Sequence, residues 1–260
     1  MREPAEPATV RELMRRAAEP VLRAVPERRS VYLGYDPDVT DDEIRRLCPS
    51  YDGPADLVTQ AERYAAKAAM LEEAGLMENG EIHPAAVRMH GVMLRGSVRG
   101  VLTGVFASAP RAVRVDCYGD GHQAVVWRMR PGRRTTFSLS DFGELGARVF
   151  GGLPHVPAGE TEPMRIRIDG HGVPLPGQDE EVGLVGDTLN RPRTGTAILD
   201  LVAFGGLNAE YPDYGFVLVD NDLGRFVLYA APSEGWLMFG GMDRRALAGW
   251  LHEAVDLSRT

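Results

Sequence analysis

Apolar residues recur at helical spacing in the first third of the chain. Val10, Leu13, Met14 and Ala17 follow Thr9 and Glu12, whose hydroxyl and carboxylate can each satisfy a free backbone N–H in a capping box. This predicts a helix from about 10 to 19, ended or kinked at Pro20. Thr40 with Glu43 and Thr59 with Glu62 repeat the start signal. They predict a short helix over DDEIRRLC and a longer one over QAERYAAKAAMLEEA, which Gly75 terminates. A tight turn through Asn79-Gly80 leads into another short helix over PAAVRMHGVM, with Pro84 in its first turn.

From Arg95 the period falls to two. Val98, Leu102 and Val105, then RAVRVDCYG, QAVVWRM and TTFSLS, read as four strands with turns at Ala109-Pro110, Asp120-Gly121 and Pro131-Gly132. Ser140 and Asp141 are expected to cap a helix carrying Phe142, Leu145, Val149 and Phe150. A connection rich in Pro and Gly, from Gly151 to about Gly177, encloses one strand at MRIRI. Asp179-Glu180-Glu181 then opens a helix with Val182, Val185 and Leu189, since negative charge favours a helix N-terminus. The four-strand pattern returns over TAILDLVAFGGL, YGFVLVD, RFVLYAA and GWLMFGG, and Asp243 caps a last helix bearing Leu247, Trp250, Leu251 and Val255. Strands joined by tight turns pair antiparallel, so the expected class is α+β.

The two strand blocks align without a gap at an offset of 102, pairing Val115 with Val217, Asp120 with Asp222, Phe137 with Phe239, Asp141 with Asp243 and Leu145 with Leu247. That alignment predicts a pseudo-two-fold duplicated unit: antiparallel β-meanders form a central sheet with flanking helices. The two subdomains would cover 1–158 and 159–260, joined in one compact domain.

A chain of 260 residues with 44% hydrophobic content can bury a sizeable core. Its net charge of -8 argues against duplex nucleic acid as a partner, because phosphate neutralisation needs a concentrated basic face. Cys48 and Cys117 have neither metal nor redox spacing. No apolar run is long enough for a membrane span. The start, MREPAEPATVRELMRR, has charges where a signal peptide needs its apolar segment, so the expected location is the cytoplasm.

There is no GxSxG elbow, P-loop, HExxH or Gly-rich dinucleotide loop. His171 beside Asp169 in a Gly-rich loop reads as a turn, and Asp120, Asp220 and Asp222 fall at predicted hairpin turns, where Asp is favoured for backbone reasons. No catalytic residue, cofactor or metal is therefore expected. Aromatic residues gather in AFGGLNAEYPDYGF, either as hairpin packing or as an exposed patch for a protein partner. The candidate contact set is Phe204, Leu207, Tyr211 and Tyr214.

Three stretches carry a family resemblance: AAMLEEAGLMENGEIHP, AVRVDCYGDGHQAVVWRMRPGRRTTFSLSDFGELGARVFGGLP and NDLGRFVLYAAPSEGWLMFGGMDRRALAGWLHEAV. In order, spacing and residue character the chain resembles the EspG family, cytosolic chaperones of actinobacterial type VII (ESX) secretion, from about residue 55 to the end with a gap over 155–195. The resemblance implies a central antiparallel sheet flanked by helical bundles, and a non-enzymatic role. Its implied client is a secreted helical heterodimer of the PE/PPE type, held soluble until export, with no membrane insertion. Two other classes stay open: an immunity or interaction protein that neutralises a partner toxin, and an enzyme with a small-molecule site between the repeat units.

Overall fold

The structure, a computed structural model, describes residues 9–24, 77–78, 80–108, 112–129, 136–203, 216–231 and 235–257. Contacts divide the chain into two units, one of residues 1–24 with 92–260 and one of residues 25–91. In the second unit, strands β1 (Met77–Glu78) and β2 (Glu81–Ile82) form a hairpin around Gly80, whose φ of 80° suits a residue without Cβ. Helix α2 (Pro84–Arg95) starts there, and the His83 Nδ1 accepts the Ala85 N–H at 3.1 Å. The predicted helices over DDEIRRLC and QAERYAAKAAMLEEA, and the turns at Ala109-Pro110 and Pro131-Gly132, lie outside the described residues.

Helix α1 (Val10–Ala24) opens with the expected capping box. The Thr9 N–H donates to Glu12 Oε2 at 2.9 Å, and the Glu12 N–H to Thr9 Oγ1 at 3.3 Å. The helix does not stop at Pro20. Val21 extends the stripe of Val10, Leu13, Met14, Ala17 and Ala18 into the core, and burying that stripe outweighs the single hydrogen bond that proline removes.

Nine described strands form one antiparallel sheet. They are β3 (Val98–Phe106), β4 (Val113–Gly119), β5 (Gln123–Met129), β6 (Thr136–Asp141), β7 (Met164–Arg167), β8 (Arg193–Ala203), β9 (Phe216–Asn221), β10 (Gly224–Ala231) and β11 (Trp236–Gly241). Their spatial order is β6-β5-β4-β3-β8-β9-β10-β11-β7. Outward from the β3–β8 junction each direction is a four-strand meander, and the α+β class with a central sheet holds. The sheet is continuous across residue 158.

Helices α3 (Leu145–Phe150) and α5 (Arg244–Leu257) lie on one face, with Leu145, Val149, Leu247 and Leu251 packing against Leu102, Val115, Leu199 and Leu218. On the other face α1 and helix α4 (Asp179–Asn190) cover the β8–β11 half, against Ile198, Val217, Val219, Leu228 and Phe239. Arg193 ties these two helices together, donating to the carbonyls of Ala17 at 2.9 Å and Leu189 at 3.1 Å.

The offset of 102 survives in the helices and slips in the strands. Leu145 and Leu247 share the first cluster, as do Val149 and Leu251, and Gly146 packs directly on Ala248. Val115 and Cys117, however, face the first cluster, whereas Val217 and Val219 face the second. Side chains alternate along a strand, so a shift of one residue exchanges the faces, and the equivalence predicted from the alignment does not extend to β4 and β9. Ser140 and Asp141 also differ from expectation. Both end β6 and pair with Ala124 and Gln123, and the Asp141 side chain makes no cap hydrogen bond to the 3₁₀ turn over Phe142–Glu144. Asp243 does cap α5, its Oδ1 accepting the N–H groups of Arg245 at 2.9 Å and Ala246 at 2.8 Å.

Candidate protein-binding surface

Cross-strand register builds a row on the first face: Leu199 opposite Phe216, Phe216 opposite Tyr229, Tyr229 opposite Met238, and Met238 opposite Arg165. Directly opposed residues share a face and touch, so five strands contribute to one stripe. Leu199 and Phe216 are buried, Tyr229 and Met238 half-buried, and Arg165 exposed.

Aromatic contacts extend along the row. Trp250 of α5 stacks on Phe216 with centroids 4.3 Å apart and meets Tyr229 edge-on at 5.2 Å. Tyr229 in turn meets Trp236 edge-on at 5.5 Å, and the Arg165 guanidinium lies 4.9 Å from the Trp236 ring centroid. These are favoured quadrupole geometries, and each aromatic ring offers a large apolar area with few rotatable bonds. Trp250, Tyr229, Trp236 and Met238 therefore form a rigid, half-buried ridge that begins in the core and ends at the cation of an edge strand. Aromatic residues, Met and Arg are the types enriched in protein interfaces.

The same edge is protected against indiscriminate strand pairing. The Gln178 side chain imitates a neighbouring strand, its Oε1 accepting the Arg167 N–H at 2.7 Å and its Nε2 donating to the Arg167 carbonyl at 2.8 Å. The ridge is thus presented through side chains.

Phe204, Leu207, Tyr211 and Tyr214 lie outside the described residues. They fall between the end of β8 at Ala203 and the start of β9 at Phe216, the residue on which Trp250 stacks. Sequence reasoning placed Trp250 on the apolar side of its helix but did not single out Arg165, Tyr229, Trp236 or Met238. Only the register of β10, β11 and β7 brings them together, and a strand as short as MRIR carries no signal of its neighbour.

The acidic candidates resolve as scaffold. Asp120 Oδ1 accepts the N–H groups of His122 at 2.9 Å and Gln123 at 2.8 Å in a turn where Gly121 has φ 94°. Its carboxyl is partly desolvated, which opposes ionisation, but those two N–H groups outweigh that and hold its pKa below the ordinary value. Asp169 is likewise lowered by the N–H groups of Val173 and His171. Asp222 accepts from Arg191 Nε at 2.6 Å and Nη2, and that hydrogen bond lowers its pKa. Asp220 departs from the expectation of a turn residue, because it lies inside β9 in a buried ion pair with Arg225.

An open cleft of about 340 Å³ is lined by Pro20, Val105, Phe106, Arg193 and Thr196 among others. Among the described residues its one charged lining residue is Arg193, which is already engaged with the Ala17 and Leu189 carbonyls. Among the described residues no group of three or more His, Cys, Asp or Glu is placed to hold a metal ion.

Fold and surface together describe an α+β protein with an aromatic ridge that suits contact with another protein. The model of the EspG family matches residues 49–253, and the chain belongs to that family. One similar solved structure is the Mycobacterium tuberculosis type VII secretion system chaperone EspG5, in complex with a PE25-PPE41 dimer. It is 13% identical with a TM-score of 0.47, over 69% of this chain and 80% of that one. No curated protein matches the chain.

Proposed function

We propose that the chain is a non-enzymatic, cytosolic chaperone or adaptor of a type VII secretion pathway, whose client is a secreted helical heterodimer of the PE/PPE type. Membership of the EspG family over residues 49–253 carries this reading. The client's apolar tip is held by hydrophobic recognition with a polar rim, which keeps it from aggregating before export. Phe204, Leu207, Tyr211 and Tyr214 contribute contacts from the segment between β8 and β9. No described helix is long and apolar enough to cross a membrane.

Co-expression tests the reading. The chain and a PE/PPE-type pair encoded beside its gene should co-elute from size exclusion as one complex. Persistent separation from every such pair contradicts it. Charge substitutions at Tyr211 and Tyr214 should abolish co-elution while leaving the fold intact by circular dichroism.

A further inference from the structure

We infer that Arg165 and Arg167 form a carboxylate-reading rim beside the aromatic ridge, so that the client is recognised by an apolar helical knob flanked by an acidic side chain. The inference rests on the chaperone reading and adds the chemistry of the contact. Arg165 lies opposite Met238 and Arg167 opposite Trp236, which places both on the ridge face. Both are exposed, and among the described residues neither forms an ion pair. In a chain of net charge -8, these two neighbouring cations border the aromatic contacts of Tyr229 with Trp236 and Trp250.

Geometry fits that use. Stacking on Trp236 occupies one face of the Arg165 guanidinium and limits its freedom, while the N–H edge that meets a carboxylate bidentately remains available. A knob seated on Tyr229, Trp236, Met238 and Trp250 would exclude water from the ridge, and an arginine–carboxylate pair at the border of that dry patch is screened less than one in open solvent. The cations then set orientation and association rate, and the aromatic rings supply most of the affinity. A second copy of this chain is a poorer occupant, since a symmetric contact would bring the arginines of both copies close together.

The test uses the full chain and a PE/PPE-type heterodimer from the same organism, titrated calorimetrically at low and high salt. Trp236→Ala should weaken binding at least ~30-fold, the range of an interface hot spot. Arg165→Gln and Arg167→Gln together should weaken it about tenfold at low salt and flatten the salt dependence. These two substitutions lie on an exposed edge strand and leave the core untouched, so they report on binding even if Trp236→Ala unfolds the chain. If the wild-type chain binds and the double arginine variant keeps wild-type affinity and salt slope, the inference is overturned and the chaperone reading stands. If the wild-type chain does not bind, that reading fails and the inference with it. Dimerisation of the chain alone that Trp236→Ala abolishes, with heterodimer affinity unchanged, would assign the ridge to self-association and likewise overturn the inference.

Discussion

Arg225, with no exposed surface, grips Asp220 across the β9–β10 hairpin through Nε–Oδ1 at 2.7 Å and Nη2–Oδ2 at 2.8 Å, and its Nη2 also donates to the Pro154 carbonyl at 3.1 Å. The pair fastens the segment after α3 to the sheet beneath it. Removing only the carboxylate strands a cation in the core. Asp220→Ala should therefore lower unfolding free energy by about 3–5 kcal/mol, read from urea denaturation. Replacing Asp220 and Arg225 together with apolar residues of similar volume should recover much of that loss.

Helices α3 and α5 cross at Gly146, where a Cβ would lie 2.6 Å from the Ala248 carbonyl oxygen. Gly146→Ala should destabilise by roughly 1–3 kcal/mol, because the helices must part. Gly183 and Gly186 in α4 have nothing within 4 Å of the same position. Alanine at each should add about 0.5–1 kcal/mol by restricting the unfolded chain, so thermal melts will move in opposite directions at the two sets of sites.

Burial pushes the Cys117 thiol up to about 12, with the Asp116 carboxylate adding to the effect. Iodoacetamide at pH 8 should leave Cys117 unmodified in the native protein and alkylate it in urea, as peptide mass analysis will show. The folded-state pKa is raised, so the associated stability is present below the unfolded value of about 8.5 and lost as pH climbs toward 12. Cys117→Ala should therefore lose less stability than the wild type between pH 7 and pH 10.

Asp120 carries the opposite sign. The His122 and Gln123 N–H groups depress its folded-state pKa, so its contribution is present above the unfolded value of about 3.9 and lost as pH falls through the lower folded one. Between pH 5 and pH 3 the urea midpoint of Asp120→Asn should fall less than that of the wild type.

Local physics made much of the fold readable. The Thr9 and Glu12 pair, the turn at Asp120-Gly121, the Asp243 cap and the alternation in β3–β5 and β8–β11 each depend on residues close in sequence, and each forms. Long-range packing was not readable. Val21 carries α1 past Pro20, and Asp220 finds Arg225 by cross-strand register instead of by turn chemistry. The 102-residue alignment matched residue types while β4 and β9 differ by one in phase, which no comparison of types detects. For the same reason the ridge of Tyr229, Trp236, Met238 and Trp250 was legible only as four separate apolar residues.

The most direct test of the chaperone account is light scattering on the chain purified with a PE/PPE-type heterodimer from the same organism. The account predicts one monodisperse complex containing all three chains, with the heterodimer aggregating when the chaperone is withheld. A heterodimer that stays soluble alone and a chain that scatters at its own mass in the mixture would contradict it.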